Sequence, residues 1–267
     1  MHARRVAAVA LRQFYLYSGS ATRVVPLFAW VAIDITLWGF ISRYLNSVAT
    51  PGYNFIPTLL GAVLLWDFLA RVLQGVSTAF LEDVWSRNFL NMFATPLQIS
   101  EYICGLVITA VVTSLIGLLT MLALAAAAFG LSFVPYGAAL VPFVLVLFLT
   151  GIALGIAGSA MVLRLGPASE WFLWPMPALI APFAGVYYPV STLPGWMQAI
   201  SRLLPPSYVF DGMRAIVRHA PWDMRSLAIG LALSVLYIVI AAIFFRQVYR
   251  FAVRTGLLAR YNAESPS

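Results

Sequence analysis

The sequence predicts an all-α polytopic membrane protein: six transmembrane helices, an N-terminal interfacial amphipathic helix, a short cytoplasmic helix after the second span, and a re-entrant outer hairpin before the last. Three observations carry this. Hydrophobic residues make up 62% of the 267 positions and charged residues 9%, against roughly 45–50% and 25% in soluble domains, so lipid must cover much of the surface. Six apolar stretches long enough to cross a bilayer lie at about 25–44, 56–81, 101–130, 139–165, 171–190 and 226–246. Their links are mostly short and carry breakers, as in Thr50-Pro51-Gly52 and Pro135-Tyr136-Gly137. With no internal repeat, low-complexity tract or linker, residues 1–267 read as one membrane domain.

Residues 3–22 form a helix too polar to span. Val6, Val9, Ala10, Phe14, Leu16 and Tyr17 share one side, and Arg4, Arg5, Arg12 and Arg23 fall on the other. That pattern describes a helix on the inner membrane surface with arginines meeting anionic headgroups, and the plainer alternative is a basic tail that sets topology. Stretch 25–44 reads as a span. Ser47-Val48-Ala49 resembles a signal cleavage site, but the apolar run exceeds a signal core, contains Asp34, and has Arg23 far from the start. With both ends inside, Arg4, Arg5, Arg12, Arg23, Arg87, Arg164, Arg246, Arg250, Arg254 and Arg260 face the cytoplasm. Arg43, Arg202, Arg214, Arg218 and Arg225 face out, and this excess places both termini in the cytoplasm.

Between spans two and three, Trp85, Phe89, Met92 and Phe93 recur at helical spacing, while Ser86, Arg87, Asn88 and Asn91 leave that side. Glu82 and Asp83 suit the positive end of a helix dipole, and Thr95-Pro96 stops the helix. This short cytoplasmic helix bears large apolar residues that either rest in the headgroups or dock into a partner. In the fifth span Pro175, Pro177 and Pro182 each remove a backbone donor. A span so broken faces the protein interior and can bend, or is statically kinked.

Beyond it, Thr192 is placed to cap a helix with Pro194 and Trp196 in its first turns, and Pro205-Pro206 to end it. Ser207 is placed to cap a second helix carrying Asp211 and Arg214 and running to about His219. Each piece is roughly 17 Å long, too short for a ~30 Å core. The two read as a re-entrant or interfacial hairpin on the outer surface.

Three charges lie at membrane depth: Asp34, Asp67 and Arg71. Asp67 and Arg71 are four apart on one helix face, and antiparallel packing of the first two spans would bring Asp34 level with them. Intramembrane charges mark a transport pathway by default, but one arginine between two carboxylates reads as a self-neutralising structural cluster. Gly151, Gly155 and Gly158 place small residues on one face of span four, for packing within the chain or between chains. Among the aromatics, Trp171, Trp174 and Trp222 suit an interfacial belt. Trp30, Trp38, Tyr44, Trp66, Tyr187 and Tyr188 are candidates for lining a substrate path, belt and packing being the alternative.

All sixteen basic residues are arginine. A GxxxxGK[ST] phosphate loop needs its lysine, so the chain contains none, and ATP used by its process is bound by another subunit. Two histidines (His2, His219) and one cysteine (Cys104) offer no metal site and no internal disulfide. No paired acidic motif or G-x-S-x-G elbow appears, so catalytic chemistry is not expected, nor is a nucleic-acid partner.

Taken in order, these pieces resemble the type-two ABC exporter permeases over essentially the whole chain. The most specific stretches are Gly185-Val186-Tyr187-Tyr188-Pro189-Val190-Ser191-Thr192-Leu193-Pro194-Gly195-Trp196 and Leu204-Pro205-Pro206-Ser207-Tyr208-Val209-Phe210-Asp211-Gly212-Met213-Arg214. Asn88 to Leu97, with Glu101 beyond, resembles the family's coupling region. The resemblance implies export driven by a separate ATP-binding subunit that holds the ATP and magnesium, with two permeases and two ATPases per transporter in a bacterial inner membrane. It also implies that Glu82, Asp83, Trp85, Arg87, Phe89, Met92 and Phe93 form the ATPase contact. Polysaccharides, lipo-oligosaccharides, lipids and drugs are all cargo of such permeases. The alternatives from other classes are a membrane-embedded lipid-modifying enzyme and a non-transporting scaffold.

Overall fold

The computed structural model describes residues 2–49, 54–86, 92, 95–221 and 223–256, with backbone alone for 21–24, 26–27, 167–168 and 170. Among these residues all regular structure is helical. The first helix, α1, covers Ala3–Ser18 and stops at Gly19-Ser20, where Ser20 is extended; α2 follows over Ala21–Val48. The expected interfacial helix of 3–22 is therefore shorter, and Arg23 belongs to the backbone of α2. Glycine's low helix propensity at the junction accounts for the break.

Helix α3 (Gly61–Trp85) is preceded by a wide i→i+5 turn over Ile56–Leu60, and α4 spans Ile99–Phe129. A tight turn at Val134–Ala139 leads into α5 (Leu140–Leu165). Short helices α6 (Glu170–Leu173), α7 (Met176–Ala184), α8 (Gly195–Ser201) and α9 (Pro205–Val217) precede α10 (Met224–Arg254). Among the described residues, four stretches are long and apolar enough to cross a membrane: Ile56–Trp85, Ile99–Phe129, Val134–Leu165 and Met224–Arg254. The 28 residues of α2 reach about 42 Å at a helical rise.

The expected fifth span, 171–190, is not one helix. Pro175 disfavours a helical Trp174, so α6 and α7 separate there, and α7 closes at Gly185 with φ 70°. Pro177 sits in the first turn of α7, where no intrahelical N–H is lost, leaving Pro182 as the proline inside the helix.

The hairpin also differs in detail. Pro205 and Pro206 begin α9 instead of ending α8, a placement where a proline's missing N–H costs nothing. The residues preceding the two helices are Pro194 and Leu204, so neither Thr192 nor Ser207 is a cap. Ser207 Oγ instead donates to the carbonyls of Ser201 (2.6 Å) and Leu204 (2.7 Å), and so ties α8 to α9. Asp223 is a true cap for α10, accepting from the amides of Arg225 (2.9 Å) and Ser226 (3.2 Å). The Arg225 amide, then the Ser226 hydroxyl, hold its carboxyl below the usual carboxylate range.

Helix α5 is central, with α3 on one side and α10 on the other; α4 packs on α3, α2 on α4, and α9 on α10 and α5. The reason lies in glycine. A Cβ on Gly151 would stand 2.8 Å from Val72 Cβ, and one on Gly155 2.8 Å from Val76 Cβ and 3.0 Å from the Leu73 carbonyl. The small-residue face of α5 thus packs within the chain, its backbone against α3. On the other side Thr150 and Ser234 hydroxyls meet at 3.1 Å between α5 and α10.

Gly155→Val should force α3 and α5 apart and lower stability by roughly 1–3 kcal/mol. The drop would appear in the melting midpoint of the detergent-purified protein, with Gly195→Ala unchanged because nothing lies within 4 Å of that Cβ position.

Candidate functional site

At one end of the bundle α1 lies across the last turn of α3 and the first turn of α4. Val6, Val9 and Gln13 are its buried residues, while Leu11, Phe14 and Tyr15 are exposed on the far side. Val9 sits against Gly105 of α4, where any Cβ would collide with it. Arg5 and Arg12, seven residues apart and so on one face, flank this seam. The Arg12 guanidinium donates to both Asp83 oxygens, at 2.9 and 2.5 Å, and Tyr102 Oη donates to Asp83 Oδ2 at 2.7 Å. Asp83 thereby joins α1, α3 and α4 at one point while remaining buried. The hydrogen bond to Asp83 holds Arg12 above the ordinary guanidinium range.

Glu101, fully buried, forms the second joint. It accepts from the His2 backbone N–H at 2.7 Å, from Arg5 at 3.5 Å and from the Gln98 N–H at 3.1 Å. The last bond is half of a capping box that starts α4. These contacts correct two expectations. Arg5 and Arg12 pair with carboxylates of α4 and α3 within the chain. Glu82 and Asp83 occupy the last turn of α3, with no breaker before Trp85, so they are not at the positive end of a new helix. Trp85 is exposed and Met92 half-buried, while Arg87, Phe89 and Phe93 lie outside the described residues.

The second cluster is mid-helix. Arg71 and Asp67 pair at 3.5 Å along α3, and the Asp34 carboxyl of α2 meets that of Asp67, at the level the residue count expects. Arg71 lies over Gly117 of α4, which leaves room for its stem. Tyr187 is in electrostatic reach of both carboxyls and stacks on Trp38 with ring centroids 5.3 Å apart. The structure therefore brings Asp34, Asp67, Arg71, Trp38 and Tyr187 together. Trp66 is buried against Phe210, and Trp30 and Tyr44 are exposed elsewhere on α2.

Tyr188 instead donates to the Pro182 carbonyl at 2.9 Å. Arg214, buried, donates to Asp211 at 3.0 Å and packs against Gly185, joining the hairpin to the end of α7. Trp196 remains exposed beside Phe183.

Sequence reasoning missed the Arg12–Asp83–Tyr102 joint. The available signals were the seven-residue spacing of Arg5 and Arg12 and the Gln98-x-x-Glu101 start of an apolar run.

A family model for ABC-2 family transporter proteins matches residues 39–244, well over half of the chain. The chain is also similar to nodulation protein J of Rhizobium meliloti (strain 1021), with 35% identity over 89 residues. That stretch is 32% of this chain and 33% of the relative, so the chain matches about a third of the relative's length.

Arg71→Ala should leave two carboxyls without their cation and lower stability by about 1–3 kcal/mol. Adding Asp34→Asn and Asp67→Asn should partly restore the yield of folded protein in membranes. Normal assembly of Arg71→Ala with transport abolished would show that the cluster serves the pathway instead.

Proposed function

The chain belongs to the ABC-2 family of transporter proteins, and from that premise we propose that it is the membrane permease subunit of an ATP-driven exporter, forming the path for a glycan, a lipid-linked polymer or an amphipathic compound. The family match over 39–244 carries the reading. The lysine-free sequence supports the energy source: with no phosphate loop here, hydrolysis belongs to a separate ATP-binding subunit that holds the nucleotide and magnesium.

In this reading the chain crosses the bacterial inner membrane six times, through α2, α3, α4, α5, the α6–α7 segment and α10. Both termini and the α1 end are cytoplasmic, and α8–α9 re-enter from outside. Two copies of the chain pair with two ATP-binding subunits. The stacked Trp38–Tyr187 pair suits a cargo with apolar faces, aromatic faces packing on ring C–H.

The α3–α4 connection, from Trp85 to Leu97, is proposed as the contact with the ATP-binding subunit. Removing a large apolar anchor from such a contact commonly costs about 2 kcal/mol or more. Phe89→Asp should therefore reduce co-purification of the ATP-binding subunit while membrane insertion stays normal. Wild-type yield of the complex with unchanged transport would overturn that assignment. A separate check addresses topology: a cysteine at Gln198 or His219, with Cys104→Ser, should react with impermeant maleimide from outside sealed cells. Labelling from the cytoplasm alone would invert the proposed orientation.

A further inference from the structure

The α3–α4 connection leaves α3 just after Asp83 and enters α4 just before Glu101, and α1 holds both carboxylates. Neither is accessible to water, so an unpaired charge at either point would be strongly disfavoured. The Arg12–Asp83 pair is bidentate and therefore directional, unlike the apolar seam of Val6 and Val9, which by itself would let α1 slide. Tyr102 closes the joint from α4, so one carboxylate fixes three helices in register. A helix merely resting in the headgroups needs none of this, and the exposed Leu11, Phe14 and Tyr15 already supply a lipid-facing side.

We infer that α1 is a splint across the two ends of the α3–α4 connection: Arg12, Asp83 and Tyr102 are positioning residues that make a displacement of that connection move α3 and α4 together. Without the splint the displacement is absorbed by bending at one helix end, and the far end of the bundle does not respond. The inference rests on the reading that the connection meets the ATP-binding subunit.

The test uses the full permease–ATPase complex in proteoliposomes, in a Cys104→Ser background with Gly195→Cys as a reporter at the end opposite α1. Gly195 is exposed and has open space around its Cβ position. The quantity read is the change in maleimide labelling rate between nucleotide-free and vanadate-trapped complex. Arg12→Ala and Tyr102→Phe should keep the ATP-binding subunit at parental yield yet shrink that change at least about fivefold, the lower end of typical coupling between sites. Arg4→Ala, which removes an exposed arginine of the same helix, should leave it intact.

Tyr102→Phe removes only a hydroxyl, so it decides the matter if Arg12→Ala fails to assemble. An undiminished change in both variants would overturn the splint. So would loss of the ATP-binding subunit from Arg12→Ala, because α1 would then build the contact and not transmit its movement. A parent complex that binds no ATP-binding subunit, or whose reporter ignores trapping, defeats the exporter reading itself and this inference with it.

Discussion

Every backbone carbonyl within a membrane needs a partner, because no water is there to supply one. That constraint organises the molecule. Long helices satisfy it internally, and the segment from α6 to α9, interrupted by prolines and Gly185, must satisfy it by other means. The structure uses hydroxyls. Tyr188 donates to the Pro182 carbonyl and Ser201 to that of Phe183, closing the end of α7. Ser207 serves the Ser201 carbonyl, Tyr208 that of Arg202 and Tyr237 that of Leu203. The last reaches from α10, so the hairpin is fastened to the bundle through the very groups that its breaks expose.

Beside this well-satisfied hairpin stands a tightly packed spine. Gly151 and Gly155 bring α5 so close to α3 that two valines and two backbone carbonyls fill the space a side chain would need. Dispersion at such short separation drives association in lipid, where the hydrophobic effect between helices is absent. The polar joints lie at the margins of that spine. Asp83 and Glu101 anchor α1 at one end, Asp67 and Arg71 face α2 along one side, and Arg214 holds the hairpin at the other end. Apolar contact thus fills the middle of the bundle, and directional ionic contact lies at its edges.

Much of this was legible in the residues. Composition required lipid, the apolar runs located the long helices, and the four-residue spacing of Asp67 and Arg71 foretold their pairing. Counting residues from the helix ends also foretold that Asp34 would stand level with Asp67. The resemblance carried by the Tyr187–Trp196 and Leu204–Arg214 stretches pointed to the family. The helix boundaries at the hairpin were less legible, because a proline pair reads equally as a stop or as a first turn. Which applies depends on whether the preceding carbonyls find other donors, as those of Ser201 and Leu204 do.

The sequence alone determined that the chain is helical, lipid-embedded and without a phosphate loop, since these follow from composition, periodicity and the absence of a residue type. Only the tertiary structure decided where the charges are used. Arg12 and Asp83 are 71 positions apart, and Arg5 and Glu101 are 96 apart. Helical periodicity states which residues share a face, and by itself it gives the arginines of α1 a polar side without naming what that side meets. Whether a buried carboxylate waits opposite that face depends on where α3 ends and α4 begins in space. That is set by the packing of glycines and valines between helices, which no local pattern records.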